Sequence, residues 1–109
     1  MDVKDLQNKF SQNKFFKNNG IVLKGVNLLR SKYVSLDELK DALQTNITET
    51  EFVDSINYLS ESGYIKLRNI KSKIATYLSD TPLEEIEAKV SADGIKLVAG
   101  VKIDECIRV

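Results

Sequence analysis

At Gly63 the apolar spacing of this chain changes from the period of a helix to the period of a strand. Upstream, Phe52, Val53, Ile56 and Leu59 recur at helical intervals; downstream, Ile65 and Leu67 alternate with Lys66 and Arg68. A glycine between two such runs suits the left-handed residue that ends many helices, and Tyr64 beyond it is placed to pack back on Leu59. The chain is therefore expected to be α+β, with helices closed at residue 63 and a sheet opened immediately after it.

The helical half carries further signals. Thr48-Glu49-Thr50-Glu51 has the form of a capping box and starts the helix that Gly63 ends. Ser35-Leu36-Asp37-Glu38 has the same form and starts a shorter helix, about 36–44, with Leu36, Leu39 and Leu43 inward. Thr45-Asn46-Ile47 reads as the tight turn between them. A first helix is expected from Asn19 to about Ser31, with Ile21, Val22, Gly25, Val26, Leu28 and Leu29 on its apolar face. Before it, Val3, Leu6 and Phe10 mark a short amphipathic stretch, separated by a breaker-rich joint at Asn13, Asn18, Asn19 and Gly20.

Beyond Arg68 a loop from Asn69 to Glu84 holds the single proline, Pro82, and a possible strand at Ile74–Leu78. Ile86, Ala88 and Val90 alternate with Glu87 and Lys89 as a later strand. Ser91 caps a short helix, Ala92–Ala99, ended by Gly100, and the tail Val101–Val109 has a weak strand alternation. The expected organisation is an N-terminal amphipathic extension (1–18), one domain (19–100) and a C-terminal tail (101–109). The expected core is Val22, Val26, Leu29, Leu36, Leu39, Leu43, Ile47, Phe52, Ile56, Leu59, Ile65, Leu67, Ile86, Ala88 and Val90. At about 1.5–3 kcal/mol per buried large side chain, such a set offsets the chain entropy of a small domain.

Three helices joined by short turns, then a hairpin, is the order of a winged helix-turn-helix: a three-helix core plus a β-hairpin wing, with a short helix after the wing. The step Gly63-Tyr64-Ile65, followed by Val90-Ser91-Ala92-Asp93-Gly94-Ile95-Lys96-Leu97-Val98-Ala99-Gly100, resembles the corresponding steps of bacterial and phage winged-helix proteins. Over about residues 19–100 the chain is similar to small winged-helix proteins of Mu-like prophages, and more loosely to MarR- and PadR-type regulators. The stretch 69–84 is longer than a minimal wing needs.

Composition narrows the function. With no histidine and one cysteine, Cys106, the 109 residues exclude Ser–His–Asp triads, Cys–His nucleophiles, zinc fingers and an intrachain disulfide. Asp80, Glu84, Glu85 and Glu87 cluster without a partnered nucleophile or phosphate loop, so no enzyme, metal, cofactor or small-molecule ligand is expected. One free thiol, no apolar run long enough to span a membrane and no signal-peptide pattern at the start point to the cytoplasm.

Charge is the remaining clue. The total is zero, 16 basic against 16 acidic, but the sign alternates by block: +5 over residues 1–36, −6 over 37–63, +4 over 64–79 and −3 over 80–109. Duplex DNA, the expected partner, would meet Lys66, Arg68, Lys71 and Lys73 of the wing; the alternative for the same cations is a solvated strand face on which Lys66 and Arg68 pair across the sheet with Glu85 or Glu87. On the third helix Thr48, Thr50, Ser55 and Asn57 are the candidates for base edges, although that helix carries Glu49, Glu51, Asp54 and Glu61 and no cation. The sequence thus suggests a small winged-helix DNA-binding regulator or accessory protein of phage or mobile-element type, contacting DNA mainly through the wing and acting as a homodimer. The competing expectation is a protein-docking or dimerisation module, with an acidic third helix and no DNA binding. Its support is the apolar excess of Val3, Leu6, Phe10, Phe15 and Phe16 and the alternating tail, which could add a strand to a neighbour.

Overall fold

The computed structural model describes residues 2–109. The first helix, α1, is one uninterrupted element from Val3 to Asn27, with Asp2 Oδ1 accepting the Asp5 N–H at 2.9 Å as its N-cap. The expected joint at residues 13–20 is therefore absent, and the boundary expected between residues 18 and 19 falls inside this helix. The reason is tertiary. Asn and Gly cost a helix at most about 1 kcal/mol each, and here Asn18, Asn19 and Gly20 are buried because the C-terminal tail crosses the helix over them. Asn19 Nδ2 donates to the Cys106 carbonyl at 2.9 Å, and Arg108 N–H donates to the Phe16 carbonyl at 3.1 Å. The tail main chain comes so close to Gly20 that a Cβ there would lie 1.7 Å from the Arg108 carbonyl oxygen.

α1 also ends before Ser31. Lys32 N–H donates to the Leu29 carbonyl at 2.8 Å, a turn that redirects the chain and leaves Leu28 and Leu29 82% and 59% exposed. Leu29 thus leaves the expected core, and Leu23 on the preceding turn is fully buried instead.

A two-residue strand, β1 (Val34–Ser35), leads into α2 (Leu36–Leu43) and then α3 (Glu49–Glu61). Thr48 and Glu51 close both bonds of their capping box, at 3.2 and 2.9 Å. At α2 one bond is present, from Glu38 N–H to Ser35 Oγ at 3.3 Å. α3 stops as its sequence predicts. Gly63 has φ +79°, Tyr64 N–H donates to the Leu59 carbonyl at 2.9 Å, and Gly63 N–H donates to the Ser60 carbonyl at 3.1 Å.

β2 (Ile65–Asn69) then pairs antiparallel with β3 (Ile86–Val90), Leu67 opposite Ala88, and β1 pairs with the other side of β3, giving the sheet order β1-β3-β2. Ile65, Leu67, Ile86, Ala88 and Val90 turn inward, as the alternation requires. The strand expected at Ile74–Leu78 reduces to a single bridge, Ala75 to Arg68. Only Thr76 and Leu78 of that segment turn inward, each half-buried, while Ile74 and Tyr77 are 68% and 67% exposed. Pro82 leads a 3-10 turn, Leu83–Glu85, before β3.

α4 (Ala92–Val98) starts at Ser91, whose Oγ accepts the Gly94 N–H at 3.1 Å and donates to the Gly63 carbonyl at 2.6 Å. One hydroxyl thus ties the start of α4 to the stop of α3. The tail forms no strand, contrary to its alternation. Val101 and Ile103 are exposed, Ile107 alone is buried, and the polar bonds of Asp104 and Cys106 go to Asn19 of α1, Tyr58 of α3 and Tyr64 beyond it rather than to a sheet edge. Over the described residues the protein is therefore an α+β fold of four α-helices and a three-stranded antiparallel sheet around one core. Of the expected core, Leu29 is exposed and Leu43 half-buried; Leu23, Tyr64, Leu97 and Ile107 join it. No helix among the described residues is long and apolar enough to cross a membrane.

Candidate interaction site

Folding brings the acids of β3 opposite the cations of β2. Arg68 Nε lies 2.6 Å from Glu87 Oε1, Lys73 Nζ lies 3.0 Å from the same oxygen, and Lys71 Nζ lies 3.9 Å from Glu85. Burial works against ionising Glu87, but Arg68 and Lys73 outweigh it and hold its carboxyl below the usual range. The Arg68 guanidinium also lies over Tyr33, 3.5 Å from the ring centroid. The hairpin and its loop, residues 65–90, carry five basic and four acidic groups, net +1. The +4 of residues 64–79 is thus largely cancelled by the strand it pairs with.

Lys66 is the exception among the four expected wing cations. It is exposed, stands directly opposite Lys89, and neither lysine pairs with an acid among the described residues. Like charges facing each other across two strands are destabilising. Lys89 was no part of the expected site; the register of β2 on β3, set by the length of the loop between them, is what puts it there.

The third-helix candidates separate. Thr48 is exposed but its hydroxyl is spent on the cap, and Thr50 is exposed beside it. The Thr48 backbone bond, aided by Lys14 2.9 Å away, holds the Glu51 carboxyl below its usual range. Ser55, expected at the surface, is fully buried on the side of α3 that packs on the core, and its hydroxyl has no partner. It follows Phe52 by three residues and precedes Leu59 by four, so helical geometry carries it inward with them. It is not available to a base edge. Asn57 is exposed, near the C-terminal end of α3.

Asn57, Lys66, Arg68 and Lys73 do meet. They line one open groove of about 730 Å³ running between the C-terminal half of α3, strand β2 and the segment Ala75–Ser79. Tyr33, Ser60, Glu61, Tyr77 and Leu78 complete its walls. Thr48 and Thr50 lie at the other end of α3 and take no part in it.

A second polar centre pins the tail. Asp104 accepts from Tyr58 Oη at 2.8 Å, from Tyr64 Oη at 2.7 Å and from Cys106 N–H at 2.8 Å. Burial, and then the Asp104 charge, push the Tyr64 hydroxyl up to about 12 and raise Tyr58 as well. Burial opposes ionisation of Asp104 too, but the Tyr64, Cys106 and Tyr58 bonds prevail and lower its pKa. This centre is structural: each polar group in it satisfies another.

The first half of α1 is different again. Residues 2–14 are all exposed, and Val3, Leu6 and Phe10 present 72%, 44% and 64% of their surface to solvent along one side of the helix. Phe15 and Phe16, one turn on, are half-buried, Phe15 edge-on to Tyr58 with ring centroids 5.7 Å apart. Among the described residues no cluster of His, Cys, Asp and Glu is placed to hold a metal ion. Comparison with family models, with curated proteins and with solved structures finds no match to this chain.

Proposed function

We propose that the chain is a small protein-interaction module of winged-helix type. The winged-helix reading is supported by the order of helices and hairpin, by the glycine stop at residue 63 and by a sheet that covers one side of the helices. The observation that carries the interaction reading is the uncovered apolar stripe of α1. Val3, Leu6 and Phe10 belong to a helix of about 38 Å whose first half no other element covers. An amphipathic helix with its apolar side in water is suited to a groove or helix on a partner. The electrostatics agree. DNA affinity is dominated by phosphate neutralisation, whereas α3 carries four acids and the hairpin nets +1.

Photo-crosslinking tests this. With p-benzoylphenylalanine in place of Phe10, discrete protein adducts are expected in extract of the native host, absent when the same probe replaces Asn8 on the other side of the helix. Adducts of equal yield at both positions, or none at either, would overturn it.

One observation favours a second reading, duplex DNA bound by a regulator or accessory protein: the unpaired row of Lys66 and Lys89. An exposed ion pair is worth at most about 1 kcal/mol, so phosphates can also draw Arg68 and Lys73 off Glu87. This reading requires salt-sensitive duplex binding that Lys66→Ala and Lys89→Ala weaken.

A further inference from the structure

β2 is an edge strand, and only part of its edge is covered. The sheet order is β1-β3-β2, so β3 occupies one side of β2 alone. Tyr64 C=O accepts the Ser91 N–H at 2.9 Å, and Ile70 N–H donates to the Glu85 carbonyl at 2.9 Å. Both bonds continue the β2–β3 register, so even-numbered residues of β2 bond toward β3. Odd-numbered residues face the other way. Leu67 C=O there accepts the Thr76 N–H at 3.2 Å, and Asn69 N–H donates to the Ile74 carbonyl at 2.9 Å. The segment Ile74–Thr76 thus covers the edge from Asn69 to the Leu67 carbonyl and then departs. The next groups in the same rank are Leu67 N–H and the N–H and C=O of Ile65. None of the three has a main-chain partner among the described residues, and both residues line the groove of about 730 Å³.

We propose that this free stretch of β2, Ile65–Leu67, receives an extended acidic segment of a partner protein as an added strand. The inference rests on the interaction-module reading above. Two donors and one acceptor on alternate residues, about 6.8 Å apart along the strand, match a peptide main chain. A phosphate backbone would accept from the amides but meet the Ile65 carbonyl oxygen as a repulsion. The side chains set the partner's charge. A residue of the added strand opposite Lys66 points to the same face of the sheet as Lys66, beside Arg68 and Lys73, which share the single acid Glu87. Residues on its other face meet Asn57, Ser60 and Glu61 of α3, so the acids of the added strand belong on the face shared with Lys66 and not on this one. A second copy of this chain is the poorer occupant. Pairing Ile65–Leu67 with itself about a two-fold axis sets Lys66 against Lys66 of the other copy, and an edge lysine is a common guard against such pairing.

The probe is a short N-acetylated peptide alternating valine with glutamate, titrated into the ¹⁵N-labelled full chain. The amides of Ile65 and Leu67 are expected to shift and to gain protection from hydrogen exchange. The lysine counterpart of the peptide should bind about tenfold more weakly, and Lys66→Glu should reverse that preference while Lys66→Arg keeps it. Lys66 is exposed, so these variants leave the core untouched. The glutamate peptide N-methylated on alternate residues should not bind. No shift at Ile65 and Leu67 at millimolar peptide, or equal binding of both charges, overturns the inference. If that happens while position 10 still cross-links a protein, the interaction module stands without this site. If position 10 gives no specific adduct and duplex DNA instead shifts the Lys66 and Lys89 amides, both fall.

Discussion

Gly20 and Gly25 sit five residues apart on α1 and face different neighbours, which lets a single methyl group report on each. A Cβ at Gly20 would lie 1.7 Å from the Arg108 carbonyl oxygen, which is main chain held in place by its own bonds to α1. Gly20→Ala must push the tail away, and an unfolding free energy lower by about 2 kcal/mol is expected in urea titration. A Cβ at Gly25 would meet the Leu39 side chain, with Cδ1 nearest at 2.8 Å, the far end of a flexible side chain. Gly25→Ala gains about 1 kcal/mol of helix propensity and should come out near neutral. Equal losses at the two sites would show that the tail does not lie on α1 as described. Gly63 is a third case. Nothing lies within 4 Å of its hypothetical Cβ, so its requirement is conformational, φ +79°. Gly63→Ala should cost about 1 kcal/mol and Gly63→Asn less, because asparagine tolerates the left-handed region. An unchanged urea midpoint for Gly63→Ala would argue against this stop.

Among the elements, those legible in the sequence are the ones whose stability is local. The capping box at Thr48, the stop at Gly63 and the alternation of Ile65, Leu67, Ile86, Ala88 and Val90 are written within a few residues of where they act. The elements misread are those settled by distant contacts. Asn18, Asn19 and Gly20 look like a break until residues 106–108 are laid over them, and the tail looks like a strand until α1 takes up its hydrogen bonds. Ser55 departs from expectation for a different reason: its type suggests the surface while its helical phase puts it inside. The groove is half legible: Asn57, Lys66, Arg68 and Lys73 stand out in the sequence, as does a pairing of Arg68 with Glu87, but the addition of Lys73 to that acid and the Lys66–Lys89 row depend on strand register and the loop. The tail's dependence on Asp104 can be measured by pH. The folded-state pKa is depressed below 3.8, so the stability it contributes is present above that value and lost as pH falls through the lower folded value. Asp104→Asn should lose about 2 kcal/mol at neutral pH, as expected for hydrogen bonds to a charged group. Its loss relative to wild type should shrink as pH falls below about 4. A gap between the two urea midpoints that stays constant from pH 7 into that range would assign the loss to something other than the carboxylate charge.

At the scale of the whole molecule, charge sets the competition between the two readings of function. The cations of residues 64–79 look like a DNA footprint when read along the chain, yet in the folded hairpin they face Glu85 and Glu87, while α3 beside them is acidic. Each phosphate contact contributes a slope of about −0.9 to log K against log salt. A molecule using Lys66, Arg68, Lys71, Lys73 and Lys89 would show a slope of about −4.5 by that rule. The pairing described here leaves two lysines without an acid, Lys66 and Lys89, on the outer face of the sheet. The expected result for duplex DNA is therefore a slope no steeper than about −2, with binding gone at physiological salt. Lys71→Ala should leave that slope unchanged, because Lys71 lies in the turn beyond Asn69, at the far end of the hairpin from the Lys66–Lys89 row. A steep slope that falls by about one unit for each of Lys66→Ala, Arg68→Ala, Lys71→Ala and Lys73→Ala would mean that phosphates break all three ion pairs. The hairpin would then be a nucleic-acid contact despite its near-neutral net charge, and the acidic α3 would have to point away from the duplex.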